Sequence, residues 1–171
     1  MQDNYYLEKE ADDFFLRWSS NINLEELNSL RESKADILRK ISRAFNLHNK
    51  YILEVGCFIG DLLACLRDDY GCSVKGIEPG SLACEHAKKK FSLEIENQPF
   101  YTSSLFKLDN DNYQIFDGII LDDVLSWMSR DIIIPVLGSL DWSLKPGGFI
   151  FLRDFCPSFS FRYPNHHCTG Q

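Results

Sequence analysis

Leu53-Glu54-Val55-Gly56-Cys57-Phe58-Ile59-Gly60-Asp61-Leu62-Leu63 decides how the rest of the chain is read. Tyr51-Ile-Leu-Glu-Val55 is a short apolar run of strand type, and the glycines behind it form a turn that opens a helix running to about Tyr70. Gly71 is the expected stop of that helix, because glycine takes the left-handed conformation at a helix end without a Cβ penalty. Gly56 lets the backbone turn sharply, and Gly60 lets a ligand approach the free N–H groups at the start of the helix. In a doubly wound sheet this carboxyl end of the first strand is where ligands bind.

Downstream, strand-like and helical segments alternate. Ser73-Val-Lys-Gly-Ile77 is a second strand, and Ser81 is placed to cap a helix to about Phe91. Residues 93–102 hold a third strand, and residues 108–114 form a polar loop. Phe116-Asp-Gly-Ile-Ile-Leu121 is a fourth strand, followed by a helix within 131–144 that tolerates Pro135 only in its first turn. Lys145-Pro-Gly-Gly148 is a turn and Phe149-Ile-Phe-Leu-Arg153 a fifth strand. Upstream, residues 1–47 are helical. Ser33 and Asp36 resemble a capping box, with Ile37, Leu38, Ile41, Ala44 and Phe45 following at helical spacing. Phe14, Phe15 and Trp18 share one side of an earlier helix, either as a lid or as a face docked on the sheet.

This pattern predicts an α/β fold: a Rossmann-like, three-layer, doubly wound and mostly parallel sheet with an N-terminal helical extension. The expected division is 1–47 for the extension, 48–155 for the α/β domain, and 156–171 for a tail in which further C-terminal strands are missing.

Composition narrows the function. The 171 residues are 44% hydrophobic and 25% charged, as in an ordinary globular domain. A net charge of −7 lacks the basic footprint of a protein that tracks nucleic-acid phosphates, and Lys88, Lys89 and Lys90 fit a helix C-terminus instead. No apolar run approaches the ~20 residues of a membrane span, and the polar start is unlike a signal peptide. A cytoplasmic location is expected, and the six cysteines, without C-x-x-C spacing, read as reduced thiols.

Glu78 closes the second strand eighteen residues after Gly60, where a carboxylate can accept hydrogen bonds from both hydroxyls of a ribose. The glycine spacing departs from the G-x-G-x-x-G of dinucleotide sites, and no Gly-Lys-Ser/Thr follows.

Residues 53–60, Glu78, Phe116–Leu125 and Leu144–Phe151 together resemble the ordered motifs of class I S-adenosylmethionine-dependent methyltransferases, over about residues 48–153. The resemblance implies S-adenosylmethionine as cofactor. Glu54, Gly56, Cys57, Phe58 and Gly60 would then surround its methionine end, and Glu78 would hold the ribose. Ser103 (or Ser104) would reach the adenine amine, and Asp122 would face the methyl group. Phe58 stands where the family has a glycine, so its ring would retune cofactor affinity. Arg153-Asp154-Phe155 and Pro164-Asn-His-His167 resemble bacterial members associated with surface polysaccharide.

An oxygen nucleophile needs a general base. His166 and His167 are the first candidates, with Asp123 and Asp154 behind them; Asp122 and Asp123 are also weighed as ligands for a divalent cation, but no metal is assigned. Leu121-Asp-Asp-Val124 stands where methyltransferases of planar amines carry Asn/Asp-Pro-Pro-aromatic, which favours a small-molecule or glycan hydroxyl as acceptor. Trp127 and Met128 would wall the pocket or pack in the core, and His48 and His86 read as surface or capping residues. An open edge on the fifth strand would permit a homodimer. The rival readings are a non-catalytic binding or interaction module and an NAD-type oxidoreductase.

Overall fold

The computed structural model describes residues 9–21, 24–154, 161–162 and 169–170. Strand β1 (Tyr51–Val55) lies at the centre of a five-stranded sheet with β2 (Ser73–Ile77), β3 (Ile95–Glu96), β4 (Phe116–Asp122) and β5 (Leu144–Arg153). The order is β3-β2-β1-β4-β5 and every pairing is parallel. Helices α3 (Asp61–Tyr70), α4 (Ser81–Phe91) and α5 (Arg130–Ser143) make the crossovers, while α1 (Ala11–Asn21) and α2 (Leu24–Ser42) precede the sheet. A two-residue antiparallel pair, β6 (Phe161–Arg162) with β7 (Thr169–Gly170), stands apart from the sheet.

The period-2 geometry of the strands sorts their side chains between two apolar layers. Ile52 and Ile120 face a cluster built with Ile37, Leu38 and Ile41 of α2 and Leu62, Leu63 and Leu66 of α3. Leu53, Val55, Ile119 and Leu121 face the other, with Val136 and Leu140 of α5 and Phe100, Leu105 and Phe116. Helix α2 thus closes one face of the central strands. Because β2 and β4 flank β1 on opposite sides, the chain reverses direction across the sheet here, and a crevice opens beyond the strands' carboxyl ends.

The strand and helix order matches the sequence reading, with five local corrections. Ser33 and Asp36 form no cap, because α2 runs straight through them from Leu24; Ser33 Oγ instead accepts a hydrogen bond from Arg153 Nη2 at 3.1 Å. Gly80, not Ser81, is the N-cap of α4, and the Ser81 hydroxyl donates to Asn97 Oδ1 at 3.0 Å. The third strand shrinks to Ile95–Glu96, because Pro99 lacks a donor and a 3-10 turn begins at Phe100. Pro135 lies in the second turn of α5 rather than the first; burial of Val136 and Leu140 beside it offsets the missing bond. The Lys145–Gly148 turn is a wide bulge inside β5, where the register steps from Phe116↔Leu144 to Gly118↔Phe149.

Gly118 shows how tightly the sheet and Phe149 meet. A Cβ there would lie 2.4 Å from Phe149 Cζ and 2.9 Å from Ile52 Cδ1. Gly118→Ala is expected to destabilise the fold by about 1–3 kcal/mol through overpacking, read as a lower urea midpoint with an unchanged m-value.

Candidate active site

The turn from β1 into α3 carries three alternating left-handed residues: Gly56 (φ 68°), Phe58 (φ 47°) and Gly60 (φ 73°). Gly56 is required twice over, since a Cβ there would also meet Val124 Cγ2 at 2.6 Å. At Phe58 the same conformation costs roughly 1–2 kcal/mol for a side chain with a Cβ. Gly56 and Cys57 N–H both donate to Ile77 O, at 2.8 and 3.2 Å, stapling the turn to β2.

Glu78 completes the staple. Its Oε2 accepts from Phe58 N–H at 2.9 Å and its Oε1 from Gly80 N–H at 2.8 Å, so one carboxylate joins the loops after β1 and β2. It is buried, and burial pushes its carboxyl up to about 7 against the pull of these two hydrogen bonds.

A cleft of about 240 Å³ opens on this carboxylate. Ile77, Pro79, Pro99 and Phe100 give it apolar walls, and Phe14, Phe58, Trp127 and Met128 add to the lining. Ser33, Lys34, Asp122 and Asp123 make one end charged. Arg153 holds Asp122 in a two-point grip, Nε to Oδ1 at 2.5 Å and Nη2 to Oδ2 at 2.9 Å. Lys34 Nζ approaches Asp122 Oδ2 at 3.4 Å and Asp61 Oδ1 at 3.8 Å. Burial draws its ammonium pKa down, but Glu54, Asp61 and Asp122 outweigh that and raise it. Behind them Glu54 is fully enclosed, its Oε2 without a hydrogen-bond partner, and burial drives its carboxyl up to about 8 against the attraction of Lys34. Asp123 sits at φ 55°, donates its N–H to Arg153 O at 2.8 Å, and is raised by burial and by Asp122. Asp154 Oδ2 is occupied by Leu125 and Ser126 N–H at 2.6 and 3.2 Å.

Of the residues singled out in the sequence, Gly56, Phe58, Glu78, Asp122 and Asp123 line the cleft together, as do Trp127 and Met128. Glu54 and Cys57 lie behind its wall, the Cys57 thiol pushed well up by burial. Gly60 and Ser103 lie outside that lining. Gly60 is needed for packing, since a Cβ there would meet Leu93 Cδ1 at 2.9 Å and Ala87 Cβ and Ile95 Cδ1 at 3.3 Å. Ser103 is buried and caps a 3-10 turn by accepting from Leu105 N–H at 3.2 Å, so Pro99, Phe100 and Tyr101 line the cleft instead. His86 is half-buried: Phe15 and Trp18 pack on it at 5.7 and 5.9 Å, and burial lowers its pKa. His166 and His167 lie outside the described residues.

Asp122 and Asp123 do not converge on a cation position, because Arg153 and Lys34 take the first; among the described residues no three potential ligands cluster. Lys34 was missed, although it shares the apolar stripe of Ile37, Leu38 and Ile41, where a lysine is out of place.

Comparison with known proteins agrees with this fold. Residues 28–169 match the family described as "Methyltransferase domain". An uncharacterised protein of Rickettsia prowazekii is 30% identical over 122 residues, covering 67% of this chain and 48% of that one. The chain thus spans about half the length of this curated relative, 48%. PKMT2 of Rickettsia typhi, solved in complex with AdoHcy, is 27% identical with a TM-score of 0.51, over 66% of this chain and 23% of that one. An S-adenosylmethionine-dependent methyltransferase of Archaeoglobus fulgidus shares the fold at 17% identity and a TM-score of 0.60, over 80% of this chain and 56% of that one. Phosphoethanolamine N-methyltransferase 1 of Haemonchus contortus does so at 18% and 0.62, over 88% and 32%.

The two raised carboxyls have a consequence for stability. Each is released near 4.5 when exposed but holds its proton to about 8 (Glu54) or 7 (Glu78) in the fold, so folding takes up protons between these values. Their contribution is full below the unfolded pKa, falls as pH rises, and is gone above the folded pKa. Urea unfolding at pH 5 and pH 8.5 should show a loss on the order of 6 kcal/mol with rising pH, cut by about half or more in Glu54→Gln, which keeps the Glu78 share. A midpoint for the Gln variant that falls as steeply as the wild type's would contradict it.

Proposed function

This chain belongs to the methyltransferase family matched over residues 28–169, and we propose that it binds S-adenosylmethionine in the cleft and transfers its methyl group. The observation that carries this reading is Glu78: a buried carboxylate facing the cleft at the tip of β2, each oxygen keeping a lone pair beyond its one backbone hydrogen bond. The cleft suits an adenosine with a zwitterionic tail. Ile77, Pro79, Pro99 and Phe100 form a slot for a flat base, Glu78 meets the ribose, and Lys34 and Asp122 offer opposite charges to a carboxylate and an ammonium. The orphaned Oε2 of Glu54 adds an unmet acceptor behind that charged end.

When bound, the cofactor supplies a methyl group already activated on a sulfonium. The chain's task is to orient the acceptor and exclude water, which can lower the barrier by roughly 7–11 kcal/mol. Trp127, Met128 and Phe14 line the cleft that an acceptor enters. Asp123, with its carboxyl held above the ordinary range, is placed to take the proton that the acceptor releases. A small-molecule or glycan hydroxyl is the acceptor read from the sequence. An amine is the second reading, favoured by the Phe14 and Trp127 rings, 6.2 Å apart, beside Asp123, a setting suited to a cation. Residues 48–155 act in this reading as the cofactor-binding unit, with 1–47 as an N-terminal helical extension.

A pyrophosphate cofactor fits less well. The Phe58 N–H is committed to Glu78, Leu62 N–H to Asp61 Oδ1 at 3.0 Å, and Asp61 puts negative charge on the first turn of α3.

Isothermal titration with AdoHcy tests the reading. Glu78→Ala is expected to weaken binding by about 1.5–3 kcal/mol through loss of charge-assisted hydrogen bonds. NADH binding more tightly than AdoHcy would point to the oxidoreductase alternative, and no heat with AdoHcy to a non-catalytic module.

A further inference from the structure

Phe58 occupies the middle of the β1–α3 turn in a conformation that glycine takes freely, between two glycines that take it. A bulky ring held there against backbone preference has to be supported by what it touches. It touches helix α1. The Phe58 ring centroid is 5.1 Å from Phe14, 5.3 Å from Trp18 and 6.2 Å from Phe15, each an edge-on contact. These are the three large aromatics of α1, on one side of the helix, and they converge on one residue of the loop. Phe14 and Phe58 both line the cleft, and Phe14 reaches Trp127 on its far side.

Among the described residues, the rest of the attachment of α1 consists of Ala11, buried beside Gly80, and a few polar and ring contacts. Asp12 Oδ1 accepts from Leu82 N–H at 3.0 Å, and Phe15 and Trp18 rest on His86. Trp18 Nε1 and His86 Nε2 are both buried there without a hydrogen-bond partner. Buried polar atoms left unpaired weaken an interface, and weakly held elements open first.

We propose that Phe58 is the docking post by which α1 closes over the cofactor cleft, so that retention of the cofactor depends on this ring. The proposal rests on the cofactor reading above. Phe58 is a positioning residue here: it acts by holding α1, and its side chain, not its backbone N–H, does so. The sequence expectation that this ring retunes cofactor affinity thereby gains a direction, with the ring favouring retention.

The test compares Phe58→Gly and Phe58→Tyr with the wild-type chain by hydrogen exchange of residues 11–21 and by the dissociation rate of AdoHcy. In Phe58→Gly the α1 amides should exchange about 10-fold faster, and AdoHcy should leave about 10-fold faster with its association rate within about twofold. The melting temperature should not fall, because glycine relieves the left-handed strain. Phe58→Tyr, which keeps the ring, should restore both readouts. Phe14→Ala/Trp18→Ala, which removes the contact from the other side, should speed AdoHcy release to a similar extent. Unchanged α1 exchange or unchanged AdoHcy release in Phe58→Gly would overturn the docking post while leaving the cofactor reading standing. Wild-type chain that binds no AdoHcy would overturn the cofactor reading and the gating with it, and the exchange data would still report whether Phe58 holds α1.

Discussion

The buried carboxylate of Glu78 is the interaction on which the cleft depends. A carboxylate withdrawn from water is costly unless donors meet it, and here two backbone N–H groups from different loops do so. One belongs to the turn after β1 and the other to the start of α4, so a single side chain fixes the separation of the two loops. The left-handed turn at Gly56, Phe58 and Gly60 makes this possible, because it points the Phe58 N–H across at the tip of β2. The floor of the cleft is therefore set by backbone geometry, and the apolar layers on both faces of the sheet hold that backbone in register.

The charged end follows a different logic. Glu54, Asp61 and Asp122 crowd around one lysine, and Arg153 neutralises Asp122 from the other side. Such a group is stabilised chiefly by mutual pairing, and pairing of buried charges seldom adds net stability. Its value lies in presenting both signs of charge at one end of an otherwise apolar cleft. Helix α2 and β5, distant in sequence, are tied together by the same contacts, since Arg153 also donates to Ser33.

Much of this was legible in the sequence because the signals are local. The runs at 51–55, 73–77 and 116–121 are short strand-type segments carrying Ile, Leu, Val and Phe, and the glycine turn and Glu78 sit at the strand tips where a doubly wound sheet places its ligand. What was misread depended on partners far along the chain. Ser33 has the chemistry of a cap, but its helix begins upstream and its hydroxyl faces Arg153, 120 residues away. Lys34 and Asp122 are separated by 88 residues, and no local pattern links them. Ser103 was chosen by position, yet its hydroxyl is used within its own turn. Phe58 was read only as a ring that retunes cofactor affinity, because the rings that accept it belong to α1. His166 and His167, read as possible bases, lie outside the described residues.

We propose that the tips of β1 and β2 jointly hold the nucleoside of S-adenosylmethionine. The most direct test is a crystal structure of the chain grown with AdoHcy. The ribose hydroxyls should lie on the Glu78 carboxylate, with the amino-acid end directed toward Lys34 and Asp122. AdoHcy bound at any other place, or a crevice left empty at saturating ligand, would contradict the account.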